Sequence, residues 1–241
     1  MNLNVFIAKS GLCSRRDAAL LVKEGAVTVN GKVVTEPWFR VGTDDTVKAR
    51  GRILRLEKSV YLVFNKPKGV TVTLEDQFAE SKIVDFIPKR FGRVYPVGRL
   101  DKPSRGLIIL TNDGEACYRL THPKFEVEKE YLVSVKGFVD DKGLAAIRRG
   151  VREGDDFLKV KQAYIEHADK AISKIRVIVC EGKKRHLRRL FEELGFDVVD
   201  LLRIRIGALT LEGLKEGRFR VVDKDEIYAA ISGRRIRRKM R

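Results

Sequence analysis

The stretch Val94 to Gly114, VYPVGRLDKPSRGLIILTNDG, constrains this chain most. Leu107-Ile108-Ile109-Leu110 is a short, β-branched apolar run bounded by turn residues, the pattern of a buried strand. Thr111-Asn112-Asp113-Gly114 then signals a turn. Ahead of the strand lies a polar loop with Pro103, Ser104 and Gly106, and it carries one carboxylate, Asp101, directly after Gly98-Arg99-Leu100. A carboxylate on a glycine-bounded loop against a core strand is placed to serve chemistry. An Asp beside an Arg also closes ordinary turns and surface ion pairs, so the loop alone leaves both readings open.

Charge narrows the range of partners. Fifty Lys and Arg against 33 Asp and Glu leave a formal charge of +17 on 241 residues. Such a field favours polyanions, chiefly nucleic-acid phosphates. No long basic amphipathic helix with an aromatic opposite face points to a membrane surface. No segment reaches membrane-span length, and the N-terminus lacks a secretory pattern, so the expected address is the cytoplasm. Cys13, Cys117 and Cys180 are scattered, as are His122, His167 and His186. Neither set has disulfide or metal-ligand spacing, and chemistry without a metal or cofactor is expected.

Along the chain, Leu3, Phe6 and Ile7 recur at helical spacing up to Gly11. Ser14 and Asp17 have capping-box form ahead of a second helix over residues 15–24, with Ala18, Leu21 and Val22 facing inward. Asn30-Gly31 between two β-branched runs predicts a tight hairpin. Residues 48–58 read as a last strand passing into a basic linker, which puts a boundary near Glu57. Beyond it, Val60 to Phe64 is a strand leading into Asn65-Lys66-Pro67-Lys68-Gly69, and residues 115–121 a helix. Residues 127–135, 159–166 and 171–180 alternate or run apolar as strands, with a helix over 143–149 between them. The segment from Glu181 opens a helix ending at Gly195, with Leu187, Leu190, Phe191 and Leu194 on one stripe and Arg185, Arg188, Arg189 and Glu192 on the next. Residues 198–211 are strand-like, residues 225–231 a short helix, and 234–241 a basic tail suited to phosphate. Strands and helices mixed with hairpins argue an α+β fold with a mostly antiparallel mixed sheet and flanking helices.

The wording of these segments resembles two known families. L-x-x-x-I-A-K-S-G-x-x-S-R-R-D-A followed by G-A-V-T-V-N-G-K-V-V is similar to the S4 RNA-binding domain, and Arg15, Arg16, Lys23 and Lys32 would be its phosphate contacts. G-R-L-D at 98–101, S-R-G-L at 104–107 and T-N-D-G at 111–114 resemble the signature of the pseudouridine synthases, more narrowly the RsuA/RluB/RluE/RluF branch. The resemblance implies a small S4-like domain over 1–57, a catalytic domain over 58–233 and the tail over 234–241. It implies Asp101 as the catalytic carboxylate and Tyr131, in the K-x-Y of the second motif, as its partner. It further implies Arg188 as the cation paired with Asp101, and Leu202, with Arg203 beside it, beneath the substrate base. Lys66, Arg99, Lys129, Arg185 and Arg189 become candidate RNA contacts, and His186 stands where the family has Gln. The expected activity is isomerisation of a uridine in ribosomal RNA, with large-subunit RNA favoured by the wording of residues 102–106. The expected partner is ribosomal RNA or a pre-ribosomal particle, bound by a monomer. A non-catalytic S4-domain factor for ribosome binding or assembly accounts equally for the charge and the first domain, but not for three matching catalytic motifs.

Overall fold

The hairpin at Asn30-Gly31 closes because both residues take positive φ, 52° and 81°, the geometry an Asn-Gly turn adopts without strain. In this computed structural model, which describes residues 1–75 and 78–233, the chain forms two compact units. The first comprises Met1–Val60 with Lys89–Val94. Helices α1 (Leu3–Lys9) and α2 (Arg15–Lys23) precede strands β1 (Val27–Val29), β2 (Lys32–Val33), β3 (Val47–Ala49) and β4 (Arg52–Ile53). The strands form an antiparallel sheet in the order β2-β1-β3-β4. Leu3, Ile7, Ala18, Val22, Val27 and Val47 are sealed in its core. Ser14 caps α2 by accepting the Asp17 N–H, and its own hydroxyl donates to the Asp17 carboxylate.

One expectation needs correction here. Residues 48–58 are not a single strand running into a linker: Arg50 and Gly51 take φ of 47° and 78° and turn the chain into the β3–β4 hairpin. Arg-Gly carries a weaker turn signal than Asn-Gly, because Arg gains no local side-chain hydrogen bond in the left-handed conformation.

The second unit comprises Tyr61–Pro88 and the chain from Tyr95 onward. Its elements are β5 (Tyr61–Lys66), β6 (Tyr95–Val97), β7 (Arg105–Thr111), α3 (Gly114–Thr121), β8 (Lys129–Lys136), α4 (Asp141–Arg149), β9 (Val151–Glu153) and β10 (Asp156–Leu158). There follow β11 (Gln162–Ala168), β12 (Ile172–Val179), α5 (His186–Glu193), β13 (Val198–Ile206), β14 (Leu209–Thr210), β15 (Phe219–Val221) and α6 (Lys224–Ser232). The main sheet runs β11-β12-β8-β13-β7-β5-β15, with β14 beside β13 and β6 beside β7. Every pairing among these is antiparallel except β13 with β7, where Leu202 faces Arg105 and Arg203 faces Gly106. One core gathers Val133, Ile147, Val177, Leu187, Leu190 and Phe191. The other gathers Val63, Leu107, Ile109, Leu120, Ile206 and Ile227. The basic segment 234–241 lies outside the described residues.

Helix α5 also departs from expectation. It begins at His186, not at Glu181, because Arg185 takes φ 52° and ends an irregular approach. Arg185 therefore precedes the helix and does not share the stripe of Arg188 and Arg189.

Candidate active site

Strand β6 ends at Val97, and Gly98 at φ 72° turns the chain into the polar loop that β7 terminates. Leu100 anchors the loop in the core, while Asp101 beside it stays partly exposed. The Ser104 N–H closes a turn on the Asp101 carbonyl at 2.9 Å. At the loop's end Gly106 takes φ 108°, and a Cβ there would lie 2.3 Å from the Arg203 carbonyl oxygen. Only glycine lets β7 approach β13 so closely.

Lys66 holds the loop from beneath. Its side chain has 0% exposure, and Nζ donates to the carbonyls of Ser104 at 2.6 Å, Pro67 at 3.0 Å and Lys102 at 3.3 Å. Burial pulls its pKa down to about 8, against the opposing pull of Asp101. The expectation that Lys66 contacts RNA is therefore corrected: all three ammonium donors are taken inside the protein, and the group is a clamp on the Asp101 loop. Asp113 is likewise structural, capping α3 through the Glu115 and Ala116 N–H groups and accepting the Tyr61 hydroxyl at 2.7 Å.

Beside the loop opens a cleft of about 280 Å³, where elements of the two cores meet at the centre of the sheet. Asp101, Arg99, Lys129, Tyr131, Arg185 and Arg203 line it with polar groups. Val97, Leu120, Val179, Leu187, Leu201 and Ile206 supply an apolar wall. A volume of this size, apolar with a few converging polar groups, suits a small planar ring. Lys129 donates to the carbonyls of Val127 and Cys180, and burial, then the Arg203 charge, bring its pKa down to about 8.

Leu202 is not among the lining residues; Leu201 and Arg203 are. The period of two along β13 puts these neighbours on one face and Leu202 on the other, where its side chain lies against Gly106. Arg203 is 3% exposed, with Nε donating to the Leu107 carbonyl at 2.6 Å and Nη1 to the Tyr131 hydroxyl at 3.3 Å.

Arg188 reaches the Asp101 loop from α5. Its Nη2 lies 3.4 Å from both the Pro103 carbonyl and the Ser104 hydroxyl, and Nη1 3.5 Å from the Val198 carbonyl. Burial lowers its pKa while the Asp101 charge supports the guanidinium. Among the described residues the two do not form a direct ion pair. Arg189 points elsewhere, to Glu153 and, at 3.0 Å, Asp156 of the β9–β10 hairpin. In the structure its ion pairs fasten α5 to that hairpin. Arg99 and Arg185 stay exposed at the cleft. In the first unit Arg15, Arg16, Lys23 and Lys32 are exposed to solvent. On α2, Arg16 and Lys23 are seven residues apart and share a helix face. His186 is buried, its Nε2 2.9 Å from the Lys159 carbonyl, and burial lowers its pKa. That bond assigns Nε2 the proton and leaves Nδ1 as an acceptor.

Residues 60–193 match the family model described as RNA pseudouridylate synthase, and residues 1–47 match the S4 domain. The chain is 38% identical to the ribosomal large subunit pseudouridine synthase B of Bacillus subtilis, over 93% of each. It is 35% identical to the dual-specificity RNA pseudouridine synthase RluF of Escherichia coli O6:H1, over 94% of this chain and 77% of that one. A crystal structure of a pseudouridylate synthase superimposes with a TM-score of 0.66 at 29% identity, covering 95% of this chain and 99% of that one. The chain therefore belongs to the RNA pseudouridylate synthases, isomerases of RNA, and carries an S4 domain at its start.

Proposed function

We propose that this enzyme converts a uridine of large-subunit ribosomal RNA to pseudouridine, with Asp101 as its catalytic carboxylate. The observation that carries the reading is that Asp101 and Tyr131 line one ring-sized cleft, while Arg188 contacts the loop on which Asp101 sits. A relative named for the large ribosomal subunit supports the choice of RNA. The segment 1–57, with Arg15, Arg16, Lys23 and Lys32, would grip the RNA backbone as a domain separate from the catalytic one. Arg99 and Arg185 would meet phosphates at the cleft. The enzyme acts in the cytoplasm as a monomer in this reading.

The reaction breaks the C1′–N1 bond, turns the uracil and joins C5 to C1′, so no atom is gained or lost. The target base first leaves its stack, which costs about a few kcal/mol. A chain of charge +17 offsets that cost through backbone contacts. Asp101 then presents its negative charge to the sugar. Arg188, already hydrogen-bonded to Ser104, supplies a positive charge beside the loop that carries the carboxylate. Tyr131 stacks on the ring; once the new bond has formed, the C5 proton leaves through the Tyr131 hydroxyl, which gives up its own proton to solvent, and N1 takes a proton from solvent, so the ring ends neutral. Leu201 and the other apolar residues of the wall exclude water from the ring.

The test is tritium release from large-subunit ribosomal RNA transcribed with [5-³H]uridine. Wild-type protein should release tritium in proportion to pseudouridine formed, and Asp101→Asn should release none. Undiminished release by the variant would remove Asp101 from its role. Release from small-subunit RNA alone would overturn the choice of substrate.

A further inference from the structure

Arg203 is a cation at 3% exposure, and a guanidinium does not shed its proton inside a protein. Buried cations are ordinarily set against a carboxylate, since an unpaired buried charge is costly. Among the described residues Arg203 forms no ion pair. Two of its arms are fixed by neutral acceptors, Nε by the Leu107 carbonyl and Nη1 by the Tyr131 hydroxyl. The guanidinium carbon lies 5.9 Å from the centroid of the Tyr131 ring. The third arm, Nη2, is buried with no acceptor among the described residues. The backbone beneath is held by the close approach of Gly106, so the fork is rigid before anything binds.

A cation in no ion pair among the described residues, with a spare donor and lining a ring-sized cleft beside its tyrosine, is a place made ready for negative charge. We propose, resting on the functional reading above, that Arg203 Nη2 donates to a carbonyl oxygen of the extruded uracil and stabilises the charge the ring acquires as its bond to the sugar breaks. When C1′–N1 cleaves, the bonding pair leaves with N1 and delocalises onto O2 and O4. The donor therefore strengthens as the reaction proceeds, which is how a preorganised donor accelerates a step rather than merely tightening binding. On rejoining, the same electrons form the C5–C1′ bond and the charge on the oxygens disappears. Arg203 neither gains nor loses a proton.

The test compares wild type, Arg203→Gln and Arg203→Lys in single-turnover reactions on one ribosomal RNA fragment carrying uridine or 5-fluorouridine at the target. The readout is loss of the N1-glycoside, with RNA affinity measured separately. Fluorine makes the departing ring a better leaving group, so it compensates a defect in leaving-group stabilisation and nothing else. Arg203→Gln should slow the uridine reaction by about 10²–10³-fold, with RNA affinity within about threefold of wild type and a deficit about tenfold smaller on 5-fluorouridine. Arg203→Lys should fall between. Equal deficits on the two targets, or rate loss matched by loss of affinity, would overturn the inference and leave Arg203 a packing residue. Should Arg203→Gln fail to fold, wild-type protein is tested on 2-thiouridine and 4-thiouridine targets, sulfur being a weak acceptor. One of the two should react about tenfold more slowly, and unchanged rates on both would contradict the proposal. A wild type inactive on uridine would overturn the functional reading itself, whereas an active wild type with equal deficits overturns only the role of Arg203.

Discussion

Arg188 Nη2 lies 3.4 Å from the buried Ser104 hydroxyl, tying helix α5 to the loop that carries Asp101. The arginine thus has a structural anchor and, in the proposed mechanism, an electrostatic duty toward Asp101. Replacing Arg188 by Ala should lower kcat by about 10²–10³-fold, the scale for losing one preorganised charge at a reacting centre. KM for RNA should change by no more than about threefold. Single-turnover kinetics against a filter-binding Kd separate the two, and a variant losing only affinity would contradict the assignment.

Arg185 and Arg189 are neighbours of Arg188 with opposite expectations. Arg185 is exposed at the cleft, whereas Arg189 is engaged with Glu153 and Asp156. Arg185→Ala should therefore reduce the slope of log K against log salt by about one. Arg189→Ala should leave that slope unchanged and lower stability only slightly, as for an ion pair open to solvent. Salt titrations of RNA binding, paired with urea unfolding, check both.

Gly106 sits where the parallel pair β7 and β13 comes together, and a Cβ there would meet Arg203 backbone atoms at 2.3 and 2.7 Å. Gly106→Ala must strain a positive φ and force two strands apart. It should destabilise the protein by at least about 2 kcal/mol, read from urea denaturation. A loss near zero would show that the strands do not pack as described.

Lys129 adds a pH dependence whose sign is fixed. Its folded pKa is about 8 against an ordinary 10.5, so between those values the unfolded chain holds the proton more tightly. Stability owed to this group therefore rises as pH climbs from about 8 to 10.5, and the cost of burying the charge is fully present below 8. The stability difference between wild type and Lys129→Met should shift in favour of wild type from pH 7.5 to pH 10. Parallel unfolding curves for the two proteins across that range would contradict it.

How much of this was legible depended on the distance over which each feature is decided. The strand through Leu107 to Leu110, the turn from Thr111 to Gly114 and the Asn30-Gly31 hairpin are set by a few consecutive residues, and their types announce them. The clamp made by Lys66 was not legible, because two of its acceptors, on Lys102 and Ser104, lie more than thirty positions away. The choice between Leu201 and Leu202 for the cleft wall needed the register of β13 against β8 and β7, which two adjacent leucines cannot reveal. Arg189 looked like Arg188 until the β9–β10 hairpin brought Glu153 and Asp156 to it. Arg203 carried a motif match but no sign that burial would leave one of its donors without an acceptor.

The most direct measurement is a pseudouridine map of ribosomal RNA from cells that have lost this protein, complemented with the wild type or with Asp101→Asn. The account predicts that at least one uridine of the large subunit stays unmodified in the deletion, is restored by the wild type and is not restored by the variant. A map unchanged by the deletion, or restored equally by Asp101→Asn, would contradict it.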